Sequence, residues 1–512
     1  MTPVPAPPEQ IAERAEAFAA RAGYYYQNWD AIYAEWKAKV LDRLDLVKGL
    51  RFDPLPDREP LETVTGHVGH SAGFRWERDF SLMVSTMYEI YQWHFELLNI
   101  GYAAYLTFFE FCKTAFPGIG DKSISQMVGG LHVELYRPDD ELKRLAKEAV
   151  RLEVGEIILG SDDLTTVLDE LRRTAGGTAW AEDWERTRDP WFHINTDPGH
   201  PGGSHRFGTW DDHLDIPFGS VQEYIRRLSK EEVIDRPTAE VLADRERIAQ
   251  EYRDLLSPDD VASFDDMLAL ARKVFVYIEE HVLYIEHWLW AAFWKKSKEL
   301  ARSLVSMGVL ADEEDLFMLR RTEVAELIFD TVAAWSTGAP GRGRAYFGPI
   351  IEQRRAVFSV LEAWEPPPAL GPPPTEVNEP LTIMLWGITT SSVLGWLEDQ
   401  DSDDNATILR GVAGSGGVVE GPVRIVRSAT ELAEVQPGDV LVCPATSPAW
   451  APAFSRVVAT VSDVGGIMSH TAIVCREYGL PAVVGTGRAV ATLRNGQRVR
   501  VDGDAGVVTV LD

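Results

Sequence analysis

Apolar residues return every three or four positions through most of the first 365 residues. The runs "PEQIAERAEAFAARAGYYYQNWDAIYAEWKAKVLDRL", "TAEVLADRERIAQEYRDLL" and the long "FDDMLALARKVFVYIEEHVLYIEHWLWAAFWKKSKELARSLVSMG" all keep this spacing, which predicts helices. Strand signals are sparse there. The exception to the helical pattern is "HINTDPGHPGGSHRFGTWDDHLDIPFGS" (193–220), whose glycines and prolines predict an irregular loop. Near the C-terminus the period changes. "RVVATVS" (456–462) reads as a strand, and Gly465-Gly466 breaks it. Ser469 is an N-cap type, and "HTAIVCREYG" fits a short helix closed by Gly479, with Pro481 just beyond.

Two stretches interrupt the patterned chain. "EPPPALGPPPT" (365–375) is a stiff, proline-rich segment, and "EDQDSDDNAT" (398–407) is acidic and without period. We therefore expect a helical domain over 1–397, a hinge over 398–408 and a small domain over 409–512, with the apolar run 381–397 assigned to the large domain. The chain has 512 residues, enough for several domains at ~150 residues each. A net charge of −29 argues against nucleic acid and anionic membranes, which need a basic footprint. Three cysteines without paired or metal-type spacing fit a reducing cytosol, and the N-terminus lacks the features of a signal peptide. Charged residues interrupt the apolar runs near 97–109 and 282–294, so neither predicts a membrane span.

His470 opens the short helix, where free N–H groups and the helix dipole favour an anion. A histidine there can attack phosphorus, hold a phosphoryl group and pass it on. A capping histidine is the plain reading of Ser-His at a helix start, but the flanks are specific. The string "GG-x-x-SH-x-AIV-x-RE-x-G-x-PAVVG", with "GVAGSGGVVEGPVRIV" and "GDVLVCPATSPAWAPAF" before it and "VRVDGDAGVVTVL" after it, resembles the phosphohistidine (swivelling) domain of PEP-utilising enzymes. The resemblance implies a small α/β domain over 409–512 with His470 as the phosphorylated residue. It also implies phosphate contacts from Thr446, Gly465, Gly466, Ser469 and Arg476.

In the helical part, His94, Leu98, Gly101, Tyr105 and Phe108 recur at 4-3-4-3 spacing, and Tyr277, His281, Tyr284 and Trp288 at 4-3-4. Each set predicts one helix face. Core packing is the ordinary reading of such stripes, although a buried imidazole needs a partner and can serve as a base. "MGVLADEEDLFMLRRTEV" and "RRAVFSVLEAWEPPP" resemble segments of the rifampicin phosphotransferase substrate domain. The order helical domain, proline-rich link, phosphohistidine domain resembles that family without its ATP-binding part, an arrangement similar to phenylphosphate and 4-methylphenylphosphate synthases. This implies a phosphotransferase subunit that takes its phosphoryl group from ATP and Mg²⁺ on a separate ATP-grasp-like subunit and gives it to a small aromatic hydroxyl. The candidate base is His281. Candidate substrate contacts are His94, Tyr105, Tyr284, Trp288, His67, His70, His193, His205 and His213, and no metal site is expected on this chain. The alternatives are a rifampicin-like drug phosphotransferase component, a split phosphoenolpyruvate synthase and a non-catalytic phosphocarrier.

Overall fold

The computed structural model describes residues 7–66, 71–197, 205–364, 372, 374–398 and 407–511. His67, His70, most of the expected hinge and much of the proline-rich link lie outside them. The architecture is a large, mostly helical part followed by a small α/β part.

Two long helices form the spine of the large part. Helix α1 (Ala72–Ala115) starts at Ser71, whose hydroxyl accepts the Phe74 N–H at 3.0 Å. Helix α2 (Pro258–His281) packs along it, with Ile278 of α2 seated against Gly101 of α1. After His281 the chain continues as a π-helix (Val282–Leu289) and then as α3 (Trp290–Ser306). The described residues of the segment 193–220 are irregular only in part. A bridge joins Asn195 to Thr209, and a helix begins at Asp215.

The small part is built on one eight-stranded sheet: β1 (Ile408–Arg410), β2 (Val412–Ser415), β3 (Val418–Ile425), β4 (Val440–Cys443), β5 (Ala459–Ser462), β6 (Ala482–Val484), β7 (Arg498–Asp502) and β8 (Val507–Val510), in the order β1-β8-β7-β3-β4-β5-β6-β2. Strands β3 to β6 run parallel, and β4 and β5 are buried along their whole length. This is the apolar continuity expected of strands covered on both faces. The expected short helix forms as drawn from sequence. Helix α5 (His470–Tyr478) has Ser469 at its N-cap and Gly479 in the left-handed region at φ 67°. It links β5 to β6, so His470 sits beyond the carboxyl ends of the parallel strands, the usual ligand position in such sheets.

The two parts share a core. Ile467, Met468 and Ile473 pack with Tyr102, Tyr105 and Phe275 of the spine. Tyr478 donates to the buried Asp139 at 2.7 Å, and Asp139 also pairs with Lys143 at 2.5 Å. Helix α4 (Pro380–Trp386) lies at this junction. Its last carbonyls, on Met384, Leu385 and Trp386, accept the N–H groups of Met468 (2.8 Å), Gly466 (2.9 Å) and Gly465 (3.2 Å).

Candidate active site

A cavity of about 490 Å³ opens between the helical part and the end of the sheet, within the range of small-molecule sites. His470 forms one wall, with Thr446 and Ser469 beside it. His94, His281, Glu286 and His287 face it from α1, α2 and the π-helix. The remaining surface is largely apolar and aromatic, including Tyr91, Phe95, Tyr102 and Trp386.

His470 is held through one ring nitrogen. Its Nδ1 is 3.0 Å from the Thr446 hydroxyl, which is itself 2.9 Å from the Thr471 hydroxyl. That leaves Nε2 for chemistry. Burial lowers the His470 pKa to about 3, so the ring is neutral and carries a free lone pair near pH 7. A neutral imidazole with its other nitrogen anchored is a competent nucleophile.

The facing groups differ in what they can do. His287 accepts the Asn195 backbone N–H at Nδ1, 3.0 Å away. In the neutral ring the proton then resides on Nε2, so His287 is a hydrogen-bond donor there, not a base. Burial, then the neighbouring His470, lower its pKa to about 3. His281 has the opposite arrangement. Its Nδ1 is 3.3 Å from the Tyr277 carbonyl, a contact only an N–H can make, so Nε2 holds the lone pair. Burial lowers its pKa to about 4, and its ring lies 4.7 Å from that of His94. Glu286 is buried, and burial raises its pKa to about 7, opposed by the Tyr91 hydroxyl, which donates to it at 3.3 Å. The Trp290 indole in turn donates to Tyr91 at 2.6 Å and fixes that hydroxyl. Glu279 also lines the cavity. Burial, then Glu477, raise its pKa to about 8, while Arg476 opposes the shift. Two buried polar atoms of the lining, His94 Nδ1 and Ser447 Oγ, have no hydrogen-bond partner among the described residues and would gain one from a polar ligand.

The residues singled out in the sequence divide accordingly. Thr446, Gly465, Ser469, His470, His94 and His281 meet at this cavity. The N–H groups of Gly465 and Gly466 are engaged by the carbonyls of α4, so they face no anion in this arrangement. Arg476 is turned away from His470, with its guanidinium donating to the Gly414 (2.8 Å) and Ile467 (3.0 Å) carbonyls. Tyr105 bonds Ser125 at 3.0 Å, Tyr284 bonds Glu134, and Trp288 packs edge-on to Trp191; none of the three lines the cavity. His193 and His205 line a separate cavity, and His213 bonds the Phe207 carbonyl at 2.7 Å. Among the described residues, no cluster of three His, Cys, Asp or Glu side chains is placed to hold a metal, and no helix is long and apolar enough to cross a membrane.

Sequence spacing missed Glu286 and His287 because of the π-helix, and Asn195 because it lies in an irregular segment without a period. His287 lies nine residues after Ile278, which is about two and a half turns of an α-helix, so α-helical spacing assigns the two to opposite faces. The wider π turns bring Glu286 and His287 round to the side of Ile278 and His281. They carry Tyr284 and Trp288 off it. The available signal was chemical: Glu286 and His287 stand in an otherwise apolar run.

Residues 435–506 match the family model described as "PEP-utilising enzyme, mobile domain". An uncharacterized phosphotransferase of Bacillus subtilis, YvkC, is 30% identical over 303 residues, covering 59% of this chain and 33% of its own. A rifampicin phosphotransferase of Streptomyces sviceus is 30% identical over 373 residues, 70% of this chain and 37% of its own. The phosphoenolpyruvate synthase of Aeropyrum pernix is 44% identical over 112 residues, 22% of this chain and 14% of its own. The chain thus spans about a third of the length of the two phosphotransferases. Residues 435–506, with His470 among them, thus carry the mobile domain of the PEP-utilising enzymes.

Proposed function

We propose that this chain is a phosphotransferase component that carries a phosphoryl group on His470 and delivers it to the hydroxyl of a small aromatic substrate. The observation that carries this reading is that His470 shares one aromatic-lined cavity with His281, Glu286 and His287. In the loading half-reaction, His470 Nε2 attacks the phosphorus of a nucleotide phosphate. A P–N bond forms and the P–O bond to the nucleotide breaks. ATP and Mg²⁺ are expected on a separate ATP-binding subunit in the cytoplasm. In the discharge half-reaction, the substrate oxygen attacks the phosphorus, the P–N electron pair returns to the imidazole, and the hydroxyl proton passes to a base.

Glu286 suits that base better than His281. A general base works best with a pKa near the working pH, and Glu286 sits at about 7 against about 4 for His281. A phenol, with a pKa near ~10, needs no stronger base. The Nε2–H of His287 is available to the oxygens of the phosphoryl group in flight, where fixed donors are most effective. The aromatic walls favour a flat ring in offset or edge-on contact.

A loaded histidine must visit two sites, so the mobile domain has to reorient. A swing that keeps the three hydrogen bonds between α4 and the glycine loop carries α4 along and turns on residues before Pro380 rather than on 398–408. The similarity to rifampicin phosphotransferase motivates a second reading, a larger hydroxylated drug as acceptor. The test is to combine the chain with an ATP-binding protein from the same source, ATP, Mg²⁺ and a panel of phenols and drug hydroxyls. Aryl phosphate formation that depends on His470 supports the first reading. Product only with drug-sized hydroxyls supports the second, and no phosphorylated acceptor from any of them removes both.

A further inference from the structure

A second cavity, of about 590 Å³, lies on the other side of the segment that carries Asn195. Asn195 walls both cavities, but their chemistry is opposite. On a chain with a net charge of −29, this cavity is lined by seven Lys or Arg side chains against four carboxylates. Lys295, Lys298 and Arg302 project into it from α3 at i, i+3 and i+7, with Ala291 one turn before on the same face. Like charges at this spacing repel each other. Their carboxylate partners do not balance them. Lys298 has no ion pair among the described residues. Lys295 reaches Asp211 only at 3.9 Å, and Arg302 reaches Glu313 only at 3.7 Å. Across the cavity, Arg51 donates to the backbone carbonyls of Lys48 (3.1 Å) and Leu50 (3.0 Å) and to no carboxylate. By contrast, Lys48 and Arg188 are paired, to Asp189 at 3.0 Å and Asp211 at 2.8 Å. Four cations of this concave surface therefore keep most of their charge for something else.

We propose that this basic cavity binds a small multivalent oxyanion of the phosphate class, at a site distinct from the His470 cavity. Guanidinium and ammonium groups converging on a concave surface match phosphate oxygens, with Arg51 and Arg302 able to bond two oxygens at once. A flat basic patch would suit a large polyanion; a concave surface of this volume suits a small one. The inference does not depend on the reading of the His470 cavity.

The test is calorimetric titration of the full chain, without divalent metal, with inorganic pyrophosphate and separately with phenyl phosphate. The expected result is saturable binding that weakens as salt is raised. It should fall by about tenfold or more in the Lys298→Gln/Arg302→Gln double variant, as expected for the loss of two charge-assisted contacts. Arg302 is 54% exposed and Lys298 is half-buried at the same surface, so these substitutions leave the core intact, and Arg302→Lys should retain most of the binding. His470→Ala should bind as the wild type does. Tighter pyrophosphate binding identifies a free inorganic anion, tighter phenyl phosphate binding an organic phosphate ester, and either supports the proposal when it is lost in the double variant and kept in His470→Ala. No saturable binding of either probe, unchanged binding in the double variant, or loss of binding in His470→Ala overturns it.

Discussion

The backbone N–H of Asn195 points at His287 Nδ1 from 3.0 Å and so settles which nitrogen of that ring holds the proton. A histidine in this tautomer offers Nε2–H to the cavity and has no basic nitrogen left to offer. The Asn195 side chain adds a second tie, donating to the Glu286 carbonyl at 2.8 Å. One residue from an irregular segment thus ties the His287 ring and the backbone of Glu286, the two residues that the π-helix turns toward His470.

If His287 stabilises the moving phosphoryl group, removing its donor affects discharge and not loading. His287→Phe is expected to slow transfer from phosphorylated His470 to the acceptor by about 10²–10³-fold, the range for one fixed donor at developing charge. Loading of His470 should stay within a few-fold of wild type. Single-turnover measurement of the two half-reactions separates them, and equal slowing of both would show that His287 acts only on packing.

The Glu286 carboxyl, with a pKa of about 7, gives the discharge step a pH dependence. The base is active when ionised, so the rate should rise with pH through about 7 and level off above it. Glu286→Gln should be slower by about 10²–10⁴-fold and lose that rise. The same shift has a stability consequence. The folded pKa is raised, so the unfolded chain ionises first, and the native state loses stability as pH rises from the ordinary glutamate range to about 7. Glu286→Gln, which cannot ionise, should therefore raise Tm at pH 8 relative to wild type and leave it nearly unchanged at pH 4.5. A thermal melt at each pH checks this; equal effects at both would place Glu286 in water.

Gly466 tests the clamp between α4 and the loop before His470. A Cβ at this position would lie 2.2 Å from the Met384 carbonyl oxygen, so Gly466→Ala must push α4 away. The expected cost is about 1–3 kcal/mol, as for other overpacked sites. Hydrogen exchange at the amides of Gly465, Gly466 and Met468 should become faster. Unchanged protection at these three amides would mean that α4 does not hold the loop.

The docked position of the mobile domain is held in part by Tyr478, whose hydroxyl bonds the buried Asp139. Tyr478→Phe leaves that carboxylate with Lys143 and Tyr224 and weakens docking without emptying the interface. If loading by a separate ATP-binding protein uses the undocked domain, it should be unchanged or faster, while discharge into the cavity should slow. Slower loading would mean that the domain is loaded in the docked position.

Much of this was legible in the sequence because it is local. The strand, the glycine break, the Ser469 cap and the Gly479 stop are each set by a few adjacent residues, and β5 and α5 form accordingly. His94 and His281 were visible as imidazoles on apolar helical faces, and both reach the cavity. What spacing could not show is non-local or breaks the assumed period. Tyr284 and Trp288 belong to the His281 stripe only while the helix stays α, and the π turns end that. Arg476 shares the helix of His470, but the Gly414 and Ile467 carbonyls capture its guanidinium on the far side. The expectation that 381–397 belongs with the large domain could not foresee that α4 bonds the glycine loop, because that contact joins residues some 80 positions apart.

The central claim is that His470 holds the phosphoryl group and releases it into the aromatic cavity. It can be tested on this chain without a partner, by loading the histidine chemically with phosphoramidate and following ³¹P NMR after a phenol is added. The account requires an acid-labile phosphohistidine at His470, consumed as aryl phosphate appears in equal amount. His470→Ala should give no aryl phosphate, and Glu286→Gln a phosphohistidine that persists. A loaded His470 that decays only to inorganic phosphate with every phenol, or aryl phosphate formed equally by His470→Ala, would contradict it.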